Sequence, residues 1–324
     1  MPIRGLKSFT RLTYLANILE YRDNPDESTV NHFIDGAFTT AFPRGLKLEL
    51  IDTYIQTQEP PLIDDVLGES FRRRERKTND FRVSITTPRY FSRFESKVFY
   101  SHYDITYEGI ESASYTEQTI GEELSYELFP KVNTLFQIDV GKTKYDDGSQ
   151  DGTFYEFLLG MKFQETAKTT GEFKTGYRIR EYEDDDFDTF KGLVLSLNSR
   201  TQLTALSAVS VSLRRSQEES VFTEGRNYYE LNALSVSYER KITSKIQAKL
   251  TNYYQLLNFP SQEQDEDEID EFVWGIRASL HYTIKPWLFS DVNYWTEDRD
   301  VSPEDSGRFG RKKNVVTFTM GMSF

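Results

Sequence analysis

The sequence contains no cysteine. Disulfides and thiolate metal sites are therefore excluded, and nothing in the chain would mispair in an oxidising compartment. There is also no uninterrupted apolar run of roughly 18 residues, which excludes helical membrane spans. A β-barrel is not excluded, because only every second residue of its strands must be apolar. Histidine is reduced to His32, His102 and His281, each in a separate predicted strand with no Ser/Asp partner motif beside it. No phosphate-cradling glycine loop, metal-ligand spacing or nucleotide motif occurs, so the expectation is a non-enzyme with no catalytic site, no metal site and no cofactor. Positive charge is in deficit, 39 Lys and Arg against 52 Asp and Glu, for a net charge of −13. That disfavours nucleic acid as a partner. No linker or Pro/Gly/Ser tract divides the 324 residues, and a single domain over 1–324 is expected. The opening MPIRGLKSFT lacks the apolar core of a signal peptide, so the numbering is expected to begin at a mature or engineered start.

What is abundant is aromatic residues, 24 Phe and 20 Tyr, and they recur on alternating positions. The last eleven residues, NVVTFTMGMSF, set Val316, Phe318, Met320, Met322 and Phe324 on one parity and Thr317, Thr319, Gly321 and Ser323 on the other. This is a period-two strand with one greasy and one small polar face. It looks like the closing strand of an outer-membrane barrel, with lipid on the first face and a watery lumen on the second. Its terminal Phe324 resembles the signal read by the barrel-assembly machinery. The pattern repeats along the chain. Tyr155, Phe157, Leu159, Met161 and Phe163 alternate with Glu156, Gly160 and Lys162. Phe272, Trp274, Ile276, Ala278 and Leu280 alternate with Gly275, Arg277, Ser279 and His281.

Short turns such as Phe42 to Gly45, Phe129 to Lys131 and Lys285-Pro286 alternate with long, often acidic loops, and loops are also expected between Tyr107 and Thr116 and from Glu297 to Arg311. The reading is an all-β, transmembrane, antiparallel up-and-down β-barrel of about 16 strands, with short periplasmic turns and long acidic extracellular loops. Aromatics near predicted strand ends are expected to form two interfacial girdles. Phe42, Phe91, Phe129 and Trp287 belong to the turn side, and Tyr107, Phe272, Trp274 and Trp295 to the loop side. The acidic runs Asp184 to Asp186 and Glu263 to Glu271 lack defined calcium-ligand spacing and read as solvated loops bridged to lipopolysaccharide phosphates by divalent ions.

The parity that should face the lumen carries both signs of charge. Lys47, Arg82, Lys97, Lys162, Lys174, Arg178, Arg180, Lys249 and Arg277 stand against Glu49, Glu95, Glu123, Asp139, Glu156, Glu172 and Asp291. Such balance suits cross-strand pairs in a wet interior. The segment Glu59 to Thr78 is the longest predicted loop, with Arg72, Arg73, Arg74, Arg76 and Lys77 clustered at its end. Two readings stand open. Either it folds inward and narrows the pore with guanidinium groups, or it lies outside and grips lipopolysaccharide phosphates.

The opening Glu20-Tyr21-Arg22-Asp23-Asn24-Pro25 and the mid-chain run Phe154 to Tyr177, with its GMKF, ETAKTTGEF and KTGYRIREYE, resemble the putative β-barrel porin 2 family. The resemblance extends over Ile18 to Phe324. It implies a barrel in the outer membrane of a Gram-negative bacterium, in contact with lipid and lipopolysaccharide, and a role in exopolysaccharide export with a polysaccharide and periplasmic export partners. A diffusion porin for small solutes, or a structural barrel that sheathes or anchors a partner protein, remain the alternatives. If Phe324 is the assembly signal, deleting it should sharply lower the fraction of protein that runs in its compact, heat-sensitive form on a gel of outer-membrane extracts. Equal yields with and without it would remove that role.

Overall fold

The computed structural model describes residues 7–19, 28–58, 75–88, 93–148, 150–163, 168–184, 187, 189–219, 228–260, 268–302 and 310–322. Within them the chain forms sixteen strands: β1 (Lys7–Leu19), β2 (Thr29–Ala41), β3 (Lys47–Thr57), β4 (Arg76–Thr86), β5 (Phe94–Tyr107), β6 (Ile110–Phe129), β7 (Val132–Tyr145), β8 (Gly152–Phe163), β9 (Thr169–Tyr182), β10 (Phe190–Thr204), β11 (Ser207–Glu219), β12 (Tyr228–Lys241), β13 (Ile246–Phe259), β14 (Ile269–Lys285), β15 (Leu288–Ser302) and β16 (Arg311–Met322). They build one sheet in strict sequence order, each strand antiparallel to the next. No pairing of β1 with β16 occurs among the described residues.

The register reveals how the sheet is inclined. One rung of directly paired residues runs Lys47, Thr86, Lys97, Glu123, Gln137, Leu158, Gly176 and Val194. It starts on the first residue of β3, at the turn end, yet it meets β10 ten residues short of that strand's turn end at Thr204. Ten residues at about 3.3 Å, over seven strand spacings of about 4.8 Å, correspond to an inclination of about 45° to the plane of the turns. Strands of membrane barrels tilt by this amount, and closure requires such a stagger.

The period-two pattern becomes two faces. On the outside Leu159 is 63%, Leu280 42% and Met320 60% exposed. The residues between them on each strand point inward. Outward aromatics pair near both ends: Phe94 with Tyr126 at 4.7 Å near the turns, and Tyr254 with Phe272 at 6.4 Å towards the loops. At the turn from β2 to β3, Arg44 and Gly45 both adopt positive φ, 74° and 90°. A Cβ on Gly45 would also lie 2.9 Å from Pro88 Cβ in the next turn, so only glycine fits both constraints.

Four expectations need correction. Arg76 and Lys77 are not loop residues, because β4 begins at Arg76. Chain expected to form loops at 108–115 and 297–302 is largely strand: β5 and β6 join through Glu108-Gly109, and β15 runs to Ser302. Tyr107 and Trp295 do not belong to a lipid-side girdle; both sit on the inward parity and are buried. Finally Gly160 faces inward but has no room, since a Cβ there would fall 2.3 Å from the Phe173 carbonyl oxygen.

Arginine at Leu159, Leu280 or Met320 should therefore cost about 2–4 kcal/mol near the bilayer midplane. Arginine at the inward Ser279 or Thr319 should cost less, and at Gly160 it should fail for steric reasons. Urea titrations of folding into lipid vesicles test the ranking, and equal costs on both parities would invert the faces.

Candidate functional site

The inward face gathers opposing charges from many strands. Lys47, Glu49, Arg82, Glu95, Lys97, Glu123, Asp139, Glu156, Lys162, Glu172, Lys174, Arg178, Arg180, Lys249, Arg277 and Asp291 all share its parity through the registers. Several meet as direct cross-strand partners, including Lys97 with Glu123, Glu156 with Arg178, and Lys162 with Glu172. Arg178 Nε donates to Glu156 at 2.8 Å. Lys174 Nζ reaches Glu123 at 2.6 Å and Gln137 at 2.8 Å. Lys174 is on β9 and Glu123 on β6, so the wall must curve inward to bring them together. Lys249 and Arg200 share Glu239, at 3.7 Å and 2.7 Å, and His281 contacts Asp291 at 2.8 Å.

These side chains border two chambers. The one towards the turns, about 750 Å³, is lined by Asn133, Asn198, Ser210, Ser212, Ser235 and Ser237, with Lys131, Lys162 and Arg200 facing Glu127 and Glu172. The one towards the loops, about 570 Å³, draws residues from β3 to β6 and from β9, β11 and β12. Four arginines (Arg76, Arg178, Arg180 and Arg214) and four tyrosines (Tyr103, Tyr107, Tyr115 and Tyr229) line it with Asp80, Glu117 and Glu218. Arg180 is 1% exposed, and its guanidinium lies 5.1 Å from the Tyr182 ring. Beyond β9, the hydrogen bond and charge of Lys142 hold Glu183 below the usual carboxylate range at the loop-end rim.

The loop half of the inner face is apolar to an extent that parity does not reveal. Tyr229, Leu231, Tyr253, Leu257, Val273 and Trp295 form a buried cluster across β12 to β15, and Ile105, Tyr107 and Ala113 form a second. Trp295 Nε1 donates to Tyr253 Oη at 2.6 Å, and Tyr253 in turn donates to Glu297 at 3.0 Å. Three inner aromatic rings lie flat on the wall over a glycine of the neighbouring strand. Phe99 covers Gly121, Phe154 covers Gly141 and Tyr253 covers Gly275, each directly paired. Arginines then stack on two of these rings, Arg82 over Phe99 at 4.0 Å and Arg178 over Phe154 at 4.5 Å. The resulting layers fix guanidinium groups in place over the wall.

A family model described as putative beta-barrel porin 2 matches residues 72–323, more than three quarters of the chain. The chain belongs to that family. Among solved structures it is similar to the FrpB iron transporter from Neisseria meningitidis. The F5-1 variant aligns with a TM-score of 0.55 and 9% identity over 98% of this chain and 64% of that one. The F3-3 variant gives 0.53 and 9% over 93% and 58%. This porin-family chain thus spans less than two thirds of those transporters' length, and at such identity the likeness speaks to fold alone. No curated protein sequence matches it. Family and architecture together make the protein a β-barrel of the porin 2 family.

Not every candidate residue joins the inner face. Arg76 lines the loop-end chamber, whereas Lys77 points outward and pairs with Glu75 at 3.1 Å. Arg72, Arg73, Arg74 and most of the 59–78 segment lie outside the described residues, as does Phe324. His32 and His102 face outward, and His281 faces inward. The layered Gly–aromatic–Arg pairs escaped the sequence, although glycine and an aromatic on facing hairpin positions of the inner parity was an available signal. A Cβ on Gly141 would fall 2.3 Å from the Phe154 ring. Gly141→Ala should therefore destabilise by about 1–3 kcal/mol through overpacking. Combining it with Phe154→Leu should recover part of that loss, and additive losses in urea unfolding would show that ring and glycine do not interlock.

Proposed function

We propose that the barrel lies in a bacterial outer membrane and is a passive conduit, without any catalytic step, for an exported polysaccharide strand. The observation that carries this reading is the turn-end chamber. Its serine hydroxyls and asparagine amides supply neutral donors and acceptors that can replace water around sugar hydroxyls. Its charges are of both signs, so a neutral or weakly charged chain meets no single-sign barrier. The tyrosines and arginines of the loop-end chamber then offer ring faces to sugar C–H surfaces and forked donors to any carboxylate the strand bears. On this reading the turns meet periplasmic export partners, and the outer wall and acidic loops meet lipid and lipopolysaccharide. The barrel-assembly machinery inserts the chain, and nucleic acid has no part.

Planar-bilayer recording with maltohexaose as probe tests the proposal. The sugar should cause transient blockades of the ion current. Replacing Ser210, Ser212, Ser235 and Ser237 together by alanine should shorten them at least about threefold, given about 0.5–1.5 kcal/mol per hydrogen bond. Steady current with no blockade would favour a diffusion porin for small solutes. No current at all would favour a structural barrel that sheathes or anchors a partner protein. Either result overturns the export reading.

A further inference from the structure

The outer wall is not uniform. Over β8 to β16 its middle is mostly apolar, with Leu159, Leu193, Leu250, Leu280, Val316 and Phe318 exposed, and charges such as Arg215 with Glu230 and Lys312 with Asp298 sit towards the loops as ion pairs. Over β2 to β6 a polar band crosses it. One outward rung of direct partners reads Gly36, Asp52, Phe81, His102 and Gln118, and the next towards the loops reads Tyr54, Asn79, Asp104 and Thr116. Asn79 Nδ2 donates to Asp52 at 2.9 Å, and Thr116 Oγ1 donates to Asp104 at 3.0 Å. Nearer the turns, Ser96 Oγ donates to Glu122 at 2.9 Å.

Depth makes this band costly against lipid. Asp52 is the middle residue of the eleven in β3. Glu122 is four residues inside Tyr126, which stacks on Phe94 in the turn-side aromatic belt. Both carboxylates are exposed on the outer face, and among the described residues each receives a hydrogen bond from one neutral side chain and makes no ion pair. A carboxylate held in hydrocarbon with so few partners is unfavourable, and such groups in membrane proteins usually face protein or water.

We infer that the outer wall along β2 to β6 is covered by a second copy of this chain in a two-fold dimer. A two-fold axis brings a surface onto itself, so the same patch must hold both donors and acceptors. This one does: Asn79, His102 and Gln118 lie among Asp52, Asp104 and Glu122. Its size also suffices. Five strands at about 4.8 Å, over an apolar height of about 25 Å, give about 600 Å² per copy. Contact over the whole patch would bury about 1,200 Å² across the two copies, the lower edge of a stable specific interface. The inference rests on the wall lying in a bilayer and is independent of what crosses the lumen.

The absence of cysteine makes the test clean. Single variants Asp52→Cys, His102→Cys and Gln118→Cys, with Leu280→Cys as control on the opposite wall, are treated with a bifunctional maleimide in outer membranes and in dilute proteoliposomes. The band variants should give a cross-linked dimer in both settings, and Leu280→Cys should give none. Asp52→Leu combined with Glu122→Leu should keep the heat-sensitive folded form and lower the dimer fraction at least tenfold. Cross-linking that is absent throughout, with a spin label at 122 as open to oxygen as one at 280, would show that the band faces lipid. A label protected in native membranes on a chain that stays monomeric in proteoliposomes would assign the band to a different protein. Either outcome overturns the dimer.

Discussion

In hydrocarbon every backbone N–H and C=O has to find its partner inside the protein, and that requirement governs the rest of this molecule. Strand-to-strand ladders meet it when each strand pairs with the one just made, which yields the unbroken order from β1 to β16. Proline cannot donate to such a ladder, and the five prolines among the described residues, Pro43, Pro88, Pro130, Pro260 and Pro286, all fall outside the strands. Once the ladder is fixed, side chains alternate between lipid and interior with no further freedom. The two faces of β8, β14 and β16 are a direct result.

Inside, the governing problem is space rather than hydrogen bonding. Aromatic side chains on the inner parity would jut into the lumen unless the opposite residue gives way. Glycines at 121, 141 and 275 do so, and the rings of Phe99, Phe154 and Tyr253 lie down on them. The flattened rings become platforms for Arg82 and Arg178. Charge, aromatic stacking and wall geometry are thus one construction. The hydroxyl-rich turn half and the aromatic, arginine-bearing loop half give the passage two different surfaces in series.

Alternation and turn chemistry carried most of the fold in the sequence, because period two is imposed wherever one face meets lipid. The sixteen strands, their antiparallel order and the parity of residues such as Lys174 and Arg178 were legible for that reason. Strand ends were less so. Above the bilayer both faces of a strand are wet, the alternation fades, and Glu297 to Ser302 reads as loop although it pairs with β14. Parity also tells which way a side chain points, but not what lies across from it. Tyr107 and Trp295 therefore passed for lipid-side anchors, and the buried clusters around them went unseen. The polar band with Asp52 and Glu122 was hidden differently. Each residue looks ordinary on its own strand, and only the register lines them up.

The stagger that carries one rung from the foot of β3 to the upper half of β10 has a mechanical meaning. At about 45°, a force along the barrel axis divides almost evenly between sliding a strand along its neighbours and peeling it sideways. Sliding loads a dozen or so bonds of a ladder at once and resists strongly. Peeling loads them one after another and yields. A wall built this way stands up to being pulled as a whole and gives way hairpin by hairpin.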